Sequence, residues 1–297
     1  MAVKSGALNR GPRRHVCRIG KLLITGAKRA EHSRTLSNER SALFCAANVT
    51  PDTAPIGFLG GVCVSLPCIS RIPGFPMLIF DCTQAACDFF SSKVKGKRIS
   101  YVEPASAAEA LENGSAVWPA VDRWQLHCVK FGRTNVLVAA QIDTRFAMMF
   151  AKLKPGDVKG FLEQFCGRYQ AEILALALST QVPLPPQPDR QRHLISWGES
   201  LSPAYFFKRN DRSVQGHINQ VLDFANFYAF EEGQGLPVEA QDLIAFDERI
   251  NRHLRQIAGK GDYFHPDEEM LLRVYPVLGG ALSSDEVKSL YRQARRA

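Results

Sequence analysis

One stretch of the chain, Asn135–Ile142, is almost wholly apolar, and it restricts the fold more than any other part of the sequence. A strand of this composition has to be covered on both faces, because either face left in water would expose apolar side chains. It follows Trp124–Phe131 across Gly132–Thr134, which is the pattern of a β-hairpin. A second tight turn, at Asp143-Thr144, leads to Arg145–Phe150. The sequence therefore predicts three strands in a small antiparallel β-meander.

Several helices are predicted to cover this meander. From Val158 onward apolar residues recur every three or four positions, and Asp157 stands where it can cap the first turn. Further helices are predicted after Pro266 and from Ser284 to the basic end of the chain. The fold class is thus predicted to be α+β. The two apolar helical faces consist of Val158, Phe161, Leu162, Phe165, Tyr169, Ile173 and Leu176, and of Leu243, Phe246, Ile250, Leu254 and Ile257.

The first 76 residues carry the whole net positive charge of the chain. They hold 11 of its 37 Lys and Arg and 3 of its 29 Asp and Glu, so residues 77–297 contain 26 of each and are neutral overall. No helix or strand period extends over a useful length of this segment. We interpret residues 1–76 as an N-terminal extension that is disordered or not part of the working protein. An organelle transit segment and a basic tail that touches nucleic acid are the alternatives.

Met77 is predicted to open the folded part of the chain. A short apolar strand begins there, and Thr83 follows it at the start of a helical pattern. We therefore expect translation to begin at Met77, and an intact mass that includes residues 1–76 in protein from its native source would contradict this. A core domain is predicted over residues 77–232, with a C-terminal helical segment over residues 233–297 packed on it.

The candidate functional residues lie where an aromatic strand passes into a helix. Tyr205–Phe207 suit a half-buried strand, and helical spacing begins at Val214. A helix start offers unpaired N–H groups and the positive end of the helix dipole, and neighbouring arginines add bidentate donors for phosphate or carboxylate. The alternative is that Asp211 pairs with a neighbouring arginine and simply caps the helix. The predicted anion site comprises Arg209, Asn210, Arg212 and Ser213, joined by Arg133 and Arg145 from the meander and by His217.

The other residues with chemical potential predict neither a metal site nor a cofactor. Cys82, Cys87, Cys128 and Cys166 include no Cys-x-x-Cys pair and are interpreted as core thiols of a cytoplasmic protein. The acidic run His265–Glu269 follows the ordinary pattern of a helix start. No apolar run reaches the length of a membrane helix, so no membrane partner is expected.

Three motifs resemble a bacterial family of uncharacterised proteins, the domain-of-unknown-function family 6933. The opening Met77–Thr83 is similar to the family's Met-Leu-Ile-x-x-Cys-Thr segment, and the Trp-led hairpin runs on to Thr144–Phe146. Asn210–Asn219 resembles its Asn-x-Arg-Ser-Val-x-Gly-x-x-Asn motif, although His217 stands where a small residue is expected. The resemblance covers about residues 77–232 and implies no activity.

These observations favour a non-enzymatic binding module that recognises a phosphate-bearing ligand or nucleic acid at the helix start. A hydrolase or nuclease-like enzyme is the first alternative, with the same arginines as electrostatic stabilisers and His217 as acid or base. A protein that binds a partner encoded beside it, as half of a two-gene pair, is the second.

Overall fold

The structure is a computed structural model, and it describes most of the chain from Met77 onward. The predicted extension over residues 1–76 lies outside the described residues. The described residues are 77–95, 97–108, 121–202, 204–231, 233, 235–257 and 261–296.

The main sheet has six strands in the order β4-β8-β1-β5-β6-β7, and two short antiparallel pairs, β2–β3 and β9–β10, lie outside it. All six residues of β1 are buried, as expected for a strand in the middle of a sheet. The strands in chain order are β1 (Met77–Cys82), β2 (Ser91–Val94), β3 (Lys97–Ser100), β4 (Glu103–Pro104), β5 (Val121–Phe131), β6 (Thr134–Gln141), β7 (Ala147–Ala151), β8 (Ala204–Lys208), β9 (Arg255–Gln256) and β10 (Tyr263–Phe264).

The main sheet is mixed. β1 runs parallel to both of its neighbours, β5 and β8, and β4 runs parallel to β8. β5, β6 and β7 pair antiparallel in succession. The α+β class is confirmed, but the prediction of a small antiparallel sheet is corrected, because the sheet is larger and half of it is parallel. The sequence pattern could pair only strands that are close together in the chain. β1 also pairs with the distant strand β8, where Phe80 lies opposite Phe206.

Two helices begin at the caps predicted for them, Thr83 and Asp157. The side chain of Thr83 accepts the N–H of Ala86, and that of Asp157 accepts the N–H of Gly160 at 2.8 Å. The second predicted amphipathic face is too long, because its helix ends at Asn251 and the chain turns into β9. The helices are α1 (Gln84–Phe89), α2 (Val158–Ser179), α3 (Gln187–Ser200), α4 (Arg212–Asn226), α5 (Ala240–Asn251), α6 (Pro266–Val274) and α7 (Ser284–Arg296), and a π-helical turn, Phe227–Glu231, extends α4.

The sheet is covered on both faces. One face packs against α2 and α6 through the larger core, in which Phe165 meets Phe80 and Trp124 edge-on at 5.0 and 4.9 Å between ring centroids. The other face, at β6 and β7, packs against α4 and α5, with Val138 and Ile218 in the shared cluster. This second layer positions the candidate site.

Side chains close the β7 edge of the sheet. The amide of Asn251 forms two hydrogen bonds of 2.7 Å, one to the N–H and one to the carbonyl of Ala147. The carboxylate of Asp247 accepts the N–H of Met149 at 3.0 Å, and Arg168 donates to the Met149 carbonyl at 2.6 Å. α5 and α2 thus supply the hydrogen bonds that another strand would make.

Candidate anion-binding site

The start of α4 is satisfied largely by the protein itself. Asp211 is the N-cap, and its carboxylate accepts the N–H groups of Ser213 and Val214 at 2.8 and 3.1 Å. The buried amide of Gln125 accepts the N–H of Asp211 at 2.7 Å and donates to the side chain of Asn210 at 3.0 Å. The loop before α4 is therefore fixed to the centre of the sheet, and Asn210 is engaged in holding it there.

The structure brings together Arg145 and Ser213, two residues of the predicted site. Arg145 lies between β6 and β7 with a φ of 60°, and its guanidinium donates to the hydroxyl of Ser213 at 2.9 Å and to the carbonyl of Ile142. Burial lowers the pKa of Arg145, whereas Asp211 and Asp143 act in the opposite direction. Arg145 is thus a buried cation that is held in place by hydroxyl and carbonyl oxygens.

The other predicted arginines do not join this contact. Arg133 is exposed in the turn between β5 and β6, at the opposite end of β6 from Arg145. The length of β6 separates the two by roughly 25 Å, at about 3.3 Å per residue. Arg212 is exposed, and Arg209 is half-buried and already engaged in another interaction.

One face of α4 leads from this contact toward a cleft. Residues three or four positions apart line up along a helix, and this face carries polar and aromatic side chains rather than the aliphatic ones that meet the sheet. Arg255 donates to the amide oxygen of Gln220 at 2.8 Å, and the Arg249 guanidinium lies 5.0 Å from the centre of the Phe224 ring. We call this face, which consists of Ser213, His217, Gln220 and Phe224, the polar stripe of α4.

His217 is the buried member of this stripe. It is 6% exposed, and both of its ring nitrogens are buried; the backbone of Arg145 is near enough to favour the charged ring, although the contact does not reach full hydrogen-bond geometry. Its pKa falls from 6.5 to about 3, first because of burial and then because of Arg255; the backbone of Arg145 opposes the shift, and the Arg145 charge adds to it. His217 is therefore a neutral imidazole between two guanidinium groups.

An open cleft of about 590 Å³ lies beside the far end of the polar stripe. Its walls are formed by α4, by the segment that follows α5 and by the N-cap of α6. We call it the cationic cleft. Its lining consists of Gln220, Phe224, Arg252, His253, Leu254, Arg255 and His265.

The cations of the cleft differ in their partners. Arg252 forms an ion pair with Glu248, and its backbone carbonyl lies 2.9 Å from Nδ1 of His265. Arg255 is half-buried, its Nε is buried without a hydrogen-bond partner, and it forms no ion pair among the described residues. Burial lowers the pKa of Arg255 as well. Arg255 thus contributes a positive charge that no described carboxylate neutralises.

The lowered pKa of His253 is a second sign of the excess positive charge in the cleft. Its pKa is lowered first by burial and then by Arg255, Arg249 and Arg295. A neutral imidazole is favoured wherever several cations surround it. The cleft is therefore electropositive through its arginines.

Sequence reasoning missed the cleft. The predicted amphipathic face continues to Ile257, whereas the helix ends at Asn251 and the chain turns toward α4. A cluster of arginines and histidines between Arg249 and His265 was the available signal. The contact of Arg255 with Gln220 depends on tertiary packing, which no local pattern reveals.

The described residues offer neither a metal site nor a membrane-spanning helix. No group of three or more His, Cys, Asp or Glu among them is placed to hold a metal ion. None of their helices combines the length and apolar character that crossing a lipid bilayer requires.

Comparison with known proteins finds a family but no activity. A family model described as Domain of unknown function (DUF6933) matches residues 79–269, which include every residue that lines the cationic cleft. The match confirms the resemblance seen in the sequence motifs and extends beyond residue 232. No curated protein and no solved structure matches the chain.

Proposed function

Since the chain belongs to the family described as Domain of unknown function (DUF6933), whose description names no activity, we propose its function from the geometry of the cationic cleft. The protein is a non-enzymatic binding module for a small phosphate-bearing ligand. The phosphate binds in the cationic cleft and contacts Arg255.

The unneutralised charge of Arg255 carries this proposal. Its guanidinium is half-buried, and its one hydrogen bond to a described side chain goes to the neutral amide of Gln220. A partly desolvated charge without an opposite charge is destabilising, and a bound anion removes that cost. Guanidinium groups bind phosphate through two parallel hydrogen bonds, which adds geometric specificity.

Three residues of the site predicted from the sequence lie near the cationic cleft. Arg145, Ser213 and His217 lie on or against the polar stripe that ends at Gln220 and Phe224. Arg145 adds positive potential behind His217, whereas the exposed Arg133 is about 25 Å from Arg145 along the strand. The proposed ligand is therefore an anion, as the sequence predicts, but it binds in the cationic cleft rather than at the start of α4.

Binding is favoured over the hydrolase or nuclease-like alternative by the state of His217. A general acid or base works best when its pKa lies near the working pH. The pKa of His217 is about 3, and both of its ring nitrogens are buried. Its environment suits a rigid neutral spacer between cations rather than a proton donor.

The proposal includes a cytoplasmic location for the protein. The four cysteines that the structure describes, Cys82, Cys87, Cys128 and Cys166, are all free thiols. Burial raises the pKa of Cys128 and of Cys166 to about 11, so both stay protonated and unreactive at neutral pH. Free, unreactive thiols are compatible with a reducing compartment.

Titration calorimetry with inorganic pyrophosphate at constant ionic strength tests the proposal. We expect saturable binding to the full chain and at least a tenfold loss of affinity in Arg255→Met. Arg133→Met is the matched control, because it removes an exposed arginine outside the cleft, and it should bind as the parent does. An unchanged affinity in Arg255→Met, or equal losses in both variants, would overturn the proposal.

A further inference from the structure

The cationic cleft is larger than a phosphate group alone requires. Its volume of about 590 Å³ falls within the range of pockets that bind organic molecules, roughly 300–1,000 Å³. The lining combines the guanidinium of Arg255 with two apolar side chains, Phe224 and Leu254. A ligand that fills the cleft therefore has an apolar part as well as an anionic one.

The apolar side of the cleft is unusually exposed. Leu254 is 56% exposed although it lines the cleft. Tyr263, on the neighbouring strand β10, is 67% exposed and is paired in register with Gln256 of β9. Large exposed apolar side chains beside unpaired positive charge are the combination that binds nucleotides, because a base packs on the apolar surface while arginine binds the phosphate.

The charge around the cleft suits a single phosphate rather than a polymer. Arg252 is paired with Glu248, and Arg295 is paired with Asp267 at 3.2 Å. Residues 77–297 have equal numbers of basic and acidic residues. Nucleic-acid binding requires several phosphate contacts along an extended basic surface.

We propose that the cationic cleft binds a nucleoside monophosphate, with the phosphate on Arg255 and the base against Leu254 and Phe224. This inference rests on the proposed function, since it names the class of phosphate-bearing ligand. It adds a requirement that the proposed function does not make: the base has to contribute to affinity.

The test compares three probes on the full chain by titration calorimetry: adenosine monophosphate, ribose 5-phosphate and a single-stranded octanucleotide. We expect adenosine monophosphate to bind at least tenfold more tightly than ribose 5-phosphate, which lacks the base. Leu254→Ala should weaken adenosine monophosphate about threefold and leave ribose 5-phosphate unchanged. Ile195→Ala is the matched control, since Ile195 is 52% exposed on α3, outside the cleft lining, and should leave all three affinities unchanged.

The outcomes separate this inference from the proposed function. Equal binding of adenosine monophosphate and ribose 5-phosphate overturns the nucleotide inference and leaves the phosphate site in place. Binding of the octanucleotide more than tenfold tighter than the monophosphate overturns it in favour of nucleic acid. Absence of pyrophosphate binding in the same assay removes both.

Discussion

Two arginines of the described chain, Arg168 on α2 and Arg255 on β9, are removed from water to different degrees and are neutralised differently. Arg168 is 4% exposed and contacts Glu172 at 2.9 Å, Asp247, and the Met149 carbonyl at 2.6 Å. Arg255 is half-buried and contacts the amide of Gln220. A charge saturated by its own fold contributes to structure, whereas a charge left without a counterion is available to a ligand.

The cluster around Arg168 has more carboxylates than cations. Burial raises the pKa of Glu172 to about 7, although Arg168 opposes the shift, and it raises the pKa of Asp247 well above its ordinary value. The two carboxylates and Arg168 are best described as one unit that shares a proton near neutral pH. Asp247 and Arg168 are hydrogen-bonded to the backbone of Met149 on β7, so this cluster is part of the sheet edge.

The largest effect is expected from Asp247→Ala. This change leaves Arg168 with one carboxylate and leaves the N–H of Met149 without its acceptor. We expect the free energy of unfolding to fall by about 3–5 kcal/mol, as for other broken buried pairs. Equilibrium unfolding in urea measures it.

The control for this prediction is Glu163→Ala. Glu163 pairs with Lys159 at 3.7 Å, and both side chains are 67% exposed. Its loss should change the free energy of unfolding by about 0.5 kcal/mol or less. Similar losses in the two variants would show that the Arg168 cluster is not the stabilising unit described above.

The next effect concerns the pH dependence of stability at His217. Its pKa is 6.5 when unfolded and about 3 when folded, so the unfolded chain binds the extra proton. Its contribution to stability is fully present above about pH 6.5 and is lost as the pH falls toward 3. Between pH 7 and pH 5 we expect the free energy of unfolding to drop by about 2 kcal/mol from this residue.

Comparison of the chain with His217→Phe at each pH isolates that contribution. Glu172 acts in the opposite direction, because its raised pKa gives stability that is lost as the pH rises through about 7. It is present in both proteins and cancels in the difference. A difference that does not vary between pH 7 and pH 5 would mean that His217 is not desolvated as described.

A smaller effect, of opposite sign to that of Asp247→Ala, is expected from Arg255→Met without ligand. Methionine keeps the apolar stem and removes the unneutralised charge, so the free energy of unfolding should rise by up to about 1 kcal/mol. Arg252→Met is the contrast, because it breaks the ion pair with Glu248 and should be neutral or slightly destabilising. A clear destabilisation in Arg255→Met would show that Arg255 serves the fold.

The smallest effect is expected from Arg133→Met. Arg133 is exposed in the turn between β5 and β6 and does not line the cationic cleft. Its replacement should change the free energy of unfolding by less than about 0.5 kcal/mol. A loss of pyrophosphate affinity in this variant would restore Arg133 to the site.

Local chemistry was predictable from the sequence, and distant pairing was not. The cap at Asp211, which the sequence analysis gave as the alternative to an anion site, was predictable because its bonds reach only the first turn of the helix. The sequence analysis predicts no helix at α3, because prolines are typical of extended segments, whereas Pro188 lies in the first turn of this helix. The contact of Arg145 with Ser213 was anticipated from chemistry, but that of Arg255 with Gln220 requires the end of α5 to be known. The domain limits at residues 76 and 232 stay predictions.

The closed β7 edge has a consequence for the cleft. Asn251, whose amide is bonded to both backbone groups of Ala147, is the last residue of α5, and Arg252 follows it directly. The segment that carries Arg255 therefore starts from a point fixed to the sheet, which reduces the conformational freedom that binding of the proposed ligand would cost.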